Sequence, residues 1–364
     1  CVIVNSDGAS TDGTPQIVQE TKFDDMHAIL VNHKILPVHK IVTPYHGLPG
    51  KGSALRSILQ IGELLGARAM AVVDSDLRSI TPEWVELLLG PIVREGFDYV
   101  APLYSRHKFD GSITNTIVYP LFRALYSKRI RQPIGGEFGF SGDVARHLLS
   151  HDVWDTDVAR YGIDIWMTTT AVTGGFKVCQ SFLGAKIHDQ KDPSTDLSSM
   201  LSQVVGSVFE LMGHHGQSWM HANDSAHIPL FGLQYEVGLE PVAVNLERML
   251  DAFRQGLRQL QAFWGLCLQQ DNLEELKSTL QDSSVRFPDE LWARLIFDFA
   301  LAHNRPKVSR EHLLKSLTPI YLGKLSSLFV ELRDSGQGEV EDRIDKLCRA
   351  FELTKPYLIE RWNK

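Results

Sequence analysis

Signals typical of disulfide-rich, zinc-binding or membrane proteins are absent from this sequence. The 364 residues include four cysteines, which lie far apart and form neither a CxxC pair nor a zinc-ligand spacing: Cys1, Cys179, Cys267 and Cys348. We therefore expect reduced thiols, as in a cytoplasmic protein. No apolar run reaches the roughly 18 residues of a membrane span, and no signal peptide is recognisable. These absences argue against a membrane protein.

Basic runs and several familiar motifs are also missing. The net charge is −7, which argues against nucleic acid as the main partner. The P-loop spacing, the dinucleotide-binding Gly-x-Gly-x-x-Gly and the hydrolase Gly-x-Ser-x-Gly do not occur. Hydrophobic residues make up 43% of the chain, enough for a sizeable core.

The pattern of the chain changes near residue 196. Residues 1–196 alternate strand-like and helix-like segments, which indicates an α/β domain. Residues 197–364 are mainly helical in pattern, with one long amphipathic helix expected over 246–264 and a loop over 229–241. The chain opens at Cys1 without a methionine and enters a strand directly. We therefore expect that at least one earlier strand is missing.

The most informative segment is the triplet formed by Asp74, Ser75 and Asp76. It follows the apolar run 69–73, which is typical of a buried parallel strand. Ligands of open α/β sheets bind at the carboxyl ends of strands, and carboxylates suit Mg²⁺ or Mn²⁺. Chance alone predicts about one such triplet, and a second one at 155–157 follows no strand. Its position makes the first triplet a candidate site for a metal-bound diphosphate of a nucleotide-sugar.

Two loops are candidates for phosphate or nucleotide binding. Gly50 and Lys51 precede a helical stretch, so backbone amides, a positive charge and a helix start come together. A glycine-rich turn that caps the helix is an equal alternative. Residues 6–14 follow the first strand and include Asp7, which would then face a nucleotide. Ordinary turn chemistry explains that loop as well, and the spacing favours it.

Three further candidates carry both a functional and a structural interpretation. Gly135, Gly136 and Glu137 combine flexible backbone with a carboxylate, which suits either a ligand or a tight turn. Asp164 lies near a predicted helix start, where it either complements the helix dipole or binds sugar hydroxyls. His188 lies at the end of a strand-like run, where it is either a third metal ligand or an ordinary packed residue.

Taken in order, these segments resemble one group of enzymes. Residues 2–14 are similar to the second strand and turn of GT-A glycosyltransferases. Residues 48–55 and 73–77 resemble glucosyl-3-phosphoglycerate synthases, and three segments resemble mannosylglycerate synthase: 132–137, 162–164 and 186–188. Glucosylglycerate synthases lie between these. The resemblance implies a GT-A fold, with a mixed and mostly parallel sheet, flanking helices and a helical C-terminal region.

The resemblance also implies an activity. It is a retaining, metal-dependent transfer of glucose or mannose from a nucleoside-diphosphate sugar to D-glycerate or 3-phosphoglycerate. Asp76 and His188 are implied as ligands of Mg²⁺ or Mn²⁺, with Asp74 in support. Ser75 and Lys51 are implied at the nucleotide or its phosphates. The family's first strand is absent from this sequence, which leaves recognition of the base open.

Donor and acceptor contacts follow from the same resemblance. Gly135, Gly136 and Glu137 would line the donor sugar, whose transferred carbon lies near the Ile134 carbonyl, and Asp164 would bind sugar hydroxyls. Thr114, in a stretch similar to the family's acceptor site, would hold the acceptor carboxylate together with Arg106. An acceptor phosphate would need a basic pocket, for which the candidates are Arg106, Lys108, Lys128, Arg129 and Arg131.

Two alternatives stay open at this point. A sugar-nucleotidyltransferase uses a similar combination of glycine-rich loops and metal-binding carboxylates. A catalytically inactive nucleotide-sugar binding protein would share the same fold. The division predicted for the chain is a catalytic domain at 1–196 and a helical region at 197–364, which completes the acceptor site and offers apolar stripes for a homodimer.

Overall fold

The computed structural model describes residues 2–7, 10, 13–21, 39–44, 50–156, 158, 160, 162–187, 197–222, 225–281 and 284–363. Its strands, numbered in chain order, are β1 Val2–Asp7, β2 His39–Pro44, β3 Ala69–Val72, β4 Tyr99–Ser105, β5 Phe138–Ser141, β6 Val178–Ala185, β7 Leu230–Phe231, β8 Leu280–Gln281 and β9 Ser284–Val285. Cys1 and His188 lie outside the described residues.

The main sheet has the strand order β3-β5-β4-β6-β7. β5 runs antiparallel to both of its neighbours, whereas β4, β6 and β7 are parallel. β1 and β2 pair in parallel as a separate two-stranded sheet, with Val2 opposite His39. The mixed, mostly parallel sheet predicted from the sequence is thus confirmed. A difference is that the predicted loop 229–241 contains β7, which pairs with Gln180 and Ser181.

The helices of the N-terminal half flank the sheets. They are α1 Thr14–Glu20, α2 Lys51–Leu64, α3 Pro82–Glu95, α4 Tyr119–Tyr126, α5 Gly142–Leu149 and α6 Ile163–Thr173, and a π-helical segment, Thr114–Val118, leads into α4. In α3 the buried residues Trp84, Leu88 and Ile92 recur every four positions. This spacing places one apolar face of the helix on the sheet.

The chain from residue 197 onward is mainly helical. Its helices are α7 Leu197–His214, α8 Gly216–Met220, α9 Leu246–Gln259, α10 Gln261–Trp264, α11 Gln270–Ser278, α12 Asp289–Asn304, α13 Arg310–Glu331 and α14 Gln337–Trp362. The single helix expected over 246–264 is interrupted at Leu260, where φ is −107° and ψ is 2°. The turn there lets Trp264 bury its indole, whose Nε1 donates to the Ser316 carbonyl at 3.2 Å.

One apolar core joins the sheet to these helices. It includes Phe138 of β5, Phe209 of α7, Trp292 of α12 and Phe351 of α14. The cysteines at 179, 267 and 348 are free and buried in it or beside it. Within the described parts of the chain, every helix is too short or too polar to cross a bilayer.

Strand β4 shows how this fold opens a site. It pairs with β6 from Tyr99 onward, but with β5 only at Tyr99 and Val100. Pro102, which has no backbone N–H to donate, lies beyond the paired part of β5. Gly135 packs directly against the Pro102 ring. The loop that carries Gly135 therefore reaches the carboxyl end of the sheet.

Candidate active site

A cavity of about 500 Å³ lies where β3, β4 and β6 end. These strands run in the same direction, so their carboxyl ends meet at one edge. The lining residues named by sequence reasoning are Lys51, Asp74, Ser75, Asp76, Arg106, Thr114, Ile134, Gly135, Gly136 and Asp164. The structure thus gathers most of the predicted site residues around one space.

A lysine and two carboxylates form one side of the cavity floor. Lys51 is the first residue of α2, and its Nζ lies 2.8 Å from Asp74 Oδ1. The same Nζ lies 3.1 Å from Asp164, which belongs to the first turn of α6. Three separate elements therefore converge on one ammonium group.

Burial and charge oppose each other in this group. Burial alone would lower the pKa of Lys51, but the carboxylates of Asp164 and Asp74 outweigh it and raise that pKa. Burial tends to raise the pKa of Asp74, yet Lys51 and Lys186 hold it below its ordinary value. Burial raises the pKa of Asp164 despite the attraction of Lys51. Lys51 and Asp74 are therefore charged at neutral pH.

Lys186, at the end of β6, is a site residue that sequence reasoning did not single out. Its Nζ donates to the Gly135 carbonyl at 2.6 Å and to the two oxygens of Glu137 at 3.0 and 2.9 Å. It also lies 3.6 Å from Asp74 Oδ2. It lines the cavity, so it joins the loop at residues 135–137 to the carboxylate of Asp74. Its only sequence signal was its place in the motif at 186–188.

Glu137 differs from its expected position. It was expected to line the donor sugar, but its side chain is 0% exposed and lies beneath the cavity. Tyr104 donates its hydroxyl to the Glu137 carboxylate, which Lys186 also contacts. Burial raises the pKa of Glu137, partly offset by Lys186. Glu137 directly precedes β5 and its carboxylate is buried, so the residue acts on the cavity through Lys186.

Gly136 has no room for a side chain. Its φ is +98°, a region that residues with a Cβ rarely adopt. A Cβ there would overlap Asp74 Oδ2 and lie 3.0 Å from Lys186 Nζ. The glycine therefore permits the close approach of backbone and carboxylate that shapes the floor.

Asp76 and Asp74 are two carboxylates after β3 that suit a divalent cation. Both line the cavity, and Asp76 is exposed. Hard carboxylate oxygens of this kind fit Mg²⁺ or Mn²⁺. No group of three His, Cys, Asp or Glu side chains with metal-binding geometry occurs among the residues that the structure describes. His188, the third expected ligand, lies outside them, directly after the lining residue Ile187.

Another part of the cavity wall comes from the segment 106–114. Arg106 Nη1 lies 3.5 Å from Asp110 Oδ2, while its buried Nε has no hydrogen-bond partner in the described structure. Thr114 begins the π-helical segment and is buried. An unpaired guanidinium N–H beside a helix start is suited to an anion. Four basic candidates do not line the cavity: Lys108, Lys128, Arg129 and Arg131.

Two nucleotide candidates are not among the lining residues of this cavity. Asp7 accepts a hydrogen bond from the Ser10 backbone N–H at 3.0 Å, as in an ordinary turn. Gly50 precedes α2 without lining the cavity. The lining also includes residues that no motif indicated, from α7 and from the segment after β7: Met200, Val204, Leu239, Glu240 and Val242.

The fold and the cavity agree with the family that the chain matches. Residues 6–209 match the family model described as mannosylglycerate synthase, GT domain. This is more than half of the chain, which therefore belongs to that family. The recognition made from the sequence motifs is thus confirmed.

The individual relatives share only a modest sequence identity with this chain. The chain is 27% identical over 223 residues to glucosyl-3-phosphoglycerate synthase of Mycolicibacterium smegmatis, across 57% of this chain and 66% of that protein. The chain thus spans slightly less than two thirds of this relative's length. The solved Mycobacterium tuberculosis glucosyl-3-phosphoglycerate synthase bound to phosphoglyceric acid is 20% identical, with a TM-score of 0.40 over 59% of this chain and 68% of that one. Its complex with Mn²⁺, UDP-glucose and phosphoglyceric acid gives 20% identity and a TM-score of 0.41 over the same shares.

Proposed function

We propose that this protein is a retaining glycosyltransferase that moves a hexose from a nucleoside-diphosphate sugar to a glycerate-type acceptor, with Mg²⁺ or Mn²⁺ as cofactor. One observation carries the proposal. A single cavity holds the strand-end carboxylates Asp74 and Asp76 together with Arg106 and Thr114, in a chain of the mannosylglycerate synthase family. The M. smegmatis relative is named for a synthase of the same kind.

The carboxylate end of the cavity is assigned to the donor. Asp76 and His188 would hold a divalent cation, supported by Asp74, and its charge would stabilise the departing diphosphate. Lys51 lies beside Asp74 and would contact the nucleotide phosphates. Asp164 would accept hydrogen bonds from the sugar hydroxyls.

The backbone of residues 134–136 is assigned to the transferred sugar. Ile134, Gly135 and Gly136 line the cavity, and Lys186 holds the Gly135 carbonyl at 2.6 Å. This contact orients the loop before the donor arrives, which lowers the cost of positioning the sugar. Glu137 supports the same loop from below through Lys186.

The described lining favours direct displacement on one face of the sugar. Asp164 is engaged by Lys51, and Glu137 is buried, so we assign no carboxylate as a nucleophile. The acceptor hydroxyl would attack from the face on which the diphosphate departs. A diphosphate oxygen would take the hydroxyl proton as the new glycosidic bond forms.

Arg106 and Thr114 are assigned to the acceptor carboxylate. Arg106 offers its free Nε–H to an anion, and Thr114 lies at a helix start. The helical region 197–364 would complete this end of the cavity. Ser112 supports that role because its Oγ lies 2.6 Å from the Tyr321 hydroxyl of α13.

Location and assembly stay predictions from the sequence. The buried, free cysteines are compatible with the proposed cytoplasmic location. The proposed homodimer is tested by light scattering of the purified protein, where a mass near twice 40.9 kDa supports it and a single-chain mass contradicts it.

The deciding experiment is a panel of donors and acceptors that measures released nucleoside diphosphate. UDP-glucose and GDP-mannose are each combined with D-glycerate or 3-phosphoglycerate, with Mn²⁺, Mg²⁺ or EDTA. We expect release that needs both acceptor and metal and is lost in Asp76→Ala. Asp155→Ala, an exposed carboxylate of the other triplet, is the matched control and should retain activity.

Three outcomes would contradict the proposal. Full turnover of Asp76→Ala in EDTA would remove the assigned metal. Pyrophosphate release from a nucleoside triphosphate and a sugar 1-phosphate would identify a nucleotidyltransferase. Binding of the nucleotide-sugars without turnover of any acceptor would identify an inactive binding protein.

A further inference from the structure

The guanidinium of Arg131 joins two parts of the chain that lie next to the acceptor end of the cavity. Its Nε and Nη2 donate to the two oxygens of Glu341 in α14, at 2.9 and 3.0 Å. Its Nη1 donates to Asn115 Oδ1 at 2.9 Å. The guanidinium also lies over the Tyr119 ring, 5.2 Å from the centroid. The Arg131 side chain is 12% exposed and that of Glu341 is 54% exposed, so Arg131 is the buried partner of this ion pair.

The orientation of Asn115 follows from Arg131. Because the Asn115 oxygen accepts from Arg131, its amide nitrogen is free to donate elsewhere. It donates to the Asp110 backbone carbonyl at 3.1 Å. The side chain of Asp110 in turn accepts from the Gly111 N–H at 2.7 Å and lies 3.5 Å from Arg106. A continuous set of contacts therefore runs from Arg131 to the Arg106 guanidinium.

The backbone of Arg131 is fixed as well. Its N–H donates to Gln180 Oε1 of β6 at 2.6 Å, three residues before Ile134 enters the cavity lining. Arg131 thus contacts three elements: β6, which ends at the proposed donor site, α14 of the C-terminal region, and Asn115, which directly follows the segment 106–114.

We propose that Arg131 is a positioning residue for the acceptor, which it does not touch. By holding Asn115, and through it Asp110, Arg131 fixes Arg106 where the acceptor carboxylate binds. The proposal rests on the proposed function. In the alternative, Arg131 only holds α14 against the rest of the fold. Loss of such a structural contact would not change the acceptor KM more than the donor KM.

The chain supplies a matched control for a purely structural role. Arg123 in α4 also binds α14, through Asp345 at 2.5 Å and Glu352 at 2.7 Å. The described hydrogen bonds of its guanidinium go to Ser225, Asp345 and Glu352, none of which lines the cavity. Arg123→Gln should therefore lower the thermal midpoint without separating the two substrates.

The experiment measures KM for donor and acceptor in four variants of the full chain. Arg131→Gln should raise the acceptor KM by roughly tenfold, the effect of losing a hydrogen bond to a charged group, with the donor KM within about twofold. Arg131→Lys should recover part of the loss, since one ammonium cannot reproduce the fork to Glu341 and the bond to Asn115. Asn115→Asp keeps an acceptor for Arg131 but has no N–H for the Asp110 carbonyl, so it should reproduce the acceptor defect without a loss of thermal stability.

The outcomes separate this inference from the proposed function. Equal changes of both KM values in Arg131→Gln, or an acceptor-specific defect in Arg123→Gln, would overturn the positioning role. A wild-type protein that turns over no acceptor would instead contradict the proposed function. In that case the dissociation constants of D-glycerate and of UDP, measured by calorimetry, replace the KM values. The same glycerate affinity in wild type and Arg131→Gln, or no glycerate binding by either protein, would overturn the inference too.

Discussion

Replacement of Gly136 by alanine tests the geometry of the cavity floor most directly. A Cβ at this position would overlap Asp74 Oδ2 and would lie 3.3 Å from Asp74 Cγ. Asp74 is held on its other side by Lys51 at 2.8 Å. The added methyl group therefore pushes the Asp74 carboxylate, which Lys51 holds in place. Either the carboxylate moves and its contact with Lys51 changes, or the backbone at residue 136 shifts.

Two effects set the size of the response. The φ of +98° costs an alanine on the order of 1–2 kcal/mol of folding free energy. To reach an ordinary contact of about 3.5 Å, the Asp74 carboxylate must also move by roughly 1 Å. A misplacement of that size in an active site costs about 100-fold in rate. We therefore expect a modest loss of stability and a loss of kcat/KM that greatly exceeds it.

A second glycine separates the two effects. Gly175 has a φ of +76° and open space where a Cβ would stand, so Gly175→Ala carries backbone strain without a clash. Urea unfolding should show similar losses for the two variants, whereas initial rates should fall only in Gly136→Ala. Wild-type kinetics in Gly136→Ala, or an equal loss of rate in Gly175→Ala, would refute the assignment of the floor.

Three further predictions concern charge. Lys186→Met leaves Glu137 buried without its cation and should lower the free energy of unfolding by about 3 kcal/mol; an unchanged urea midpoint would show that the Tyr104 hydrogen bond suffices. Arg106→Gln should raise the acceptor KM roughly tenfold and spare the donor KM, and a reversed pattern in initial rates would move the acceptor elsewhere. Burial tends to raise the pKa of Asp289, but Lys324 and Arg343 together outweigh it and hold that pKa below the ordinary value. The stability that the Asp289 carboxylate adds is therefore present above its unfolded pKa of about 4 and lost as the pH falls through the lower folded value. The difference in urea midpoint between wild type and Asp289→Asn should therefore shrink between pH 7 and pH 3. A constant difference would contradict this prediction.

The parts of the site that the sequence predicted carry local signals. Asp74 and Asp76 follow an apolar strand, Lys51 begins a helix after a glycine, and Asp164 occupies the first turn of another helix. Strand ends and helix starts are recognisable within about ten residues. Because an α/β sheet collects such ends at one edge, local patterns were enough to predict a shared site.

The rest of the site depends on partners that are distant in sequence. Lys186 and Glu137 are 49 residues apart, and the burial of Glu137, directly before β5, depends on the surrounding fold and not on its neighbours in the chain. The helical region shows the same limit. Its amphipathic pattern predicts that apolar faces pack, but not that Met200 and Leu239 reach the cavity.

The balance of charge around the cavity gives a physical reason to expect a metal requirement. Lys51 and Lys186 are the described lysines of the floor, and four carboxylates lie in the lining or next to these lysines: Asp74, Asp76, Asp164 and Glu137. Three of these carboxylates are already engaged by the two lysines, so the described floor has little positive charge to spare for a diphosphate. A divalent cation at Asp76 would supply the missing charge where the diphosphate must bind. The same lysine contacts that hold Asp74, Asp164 and Glu137 in place would then make binding of the donor depend on the metal.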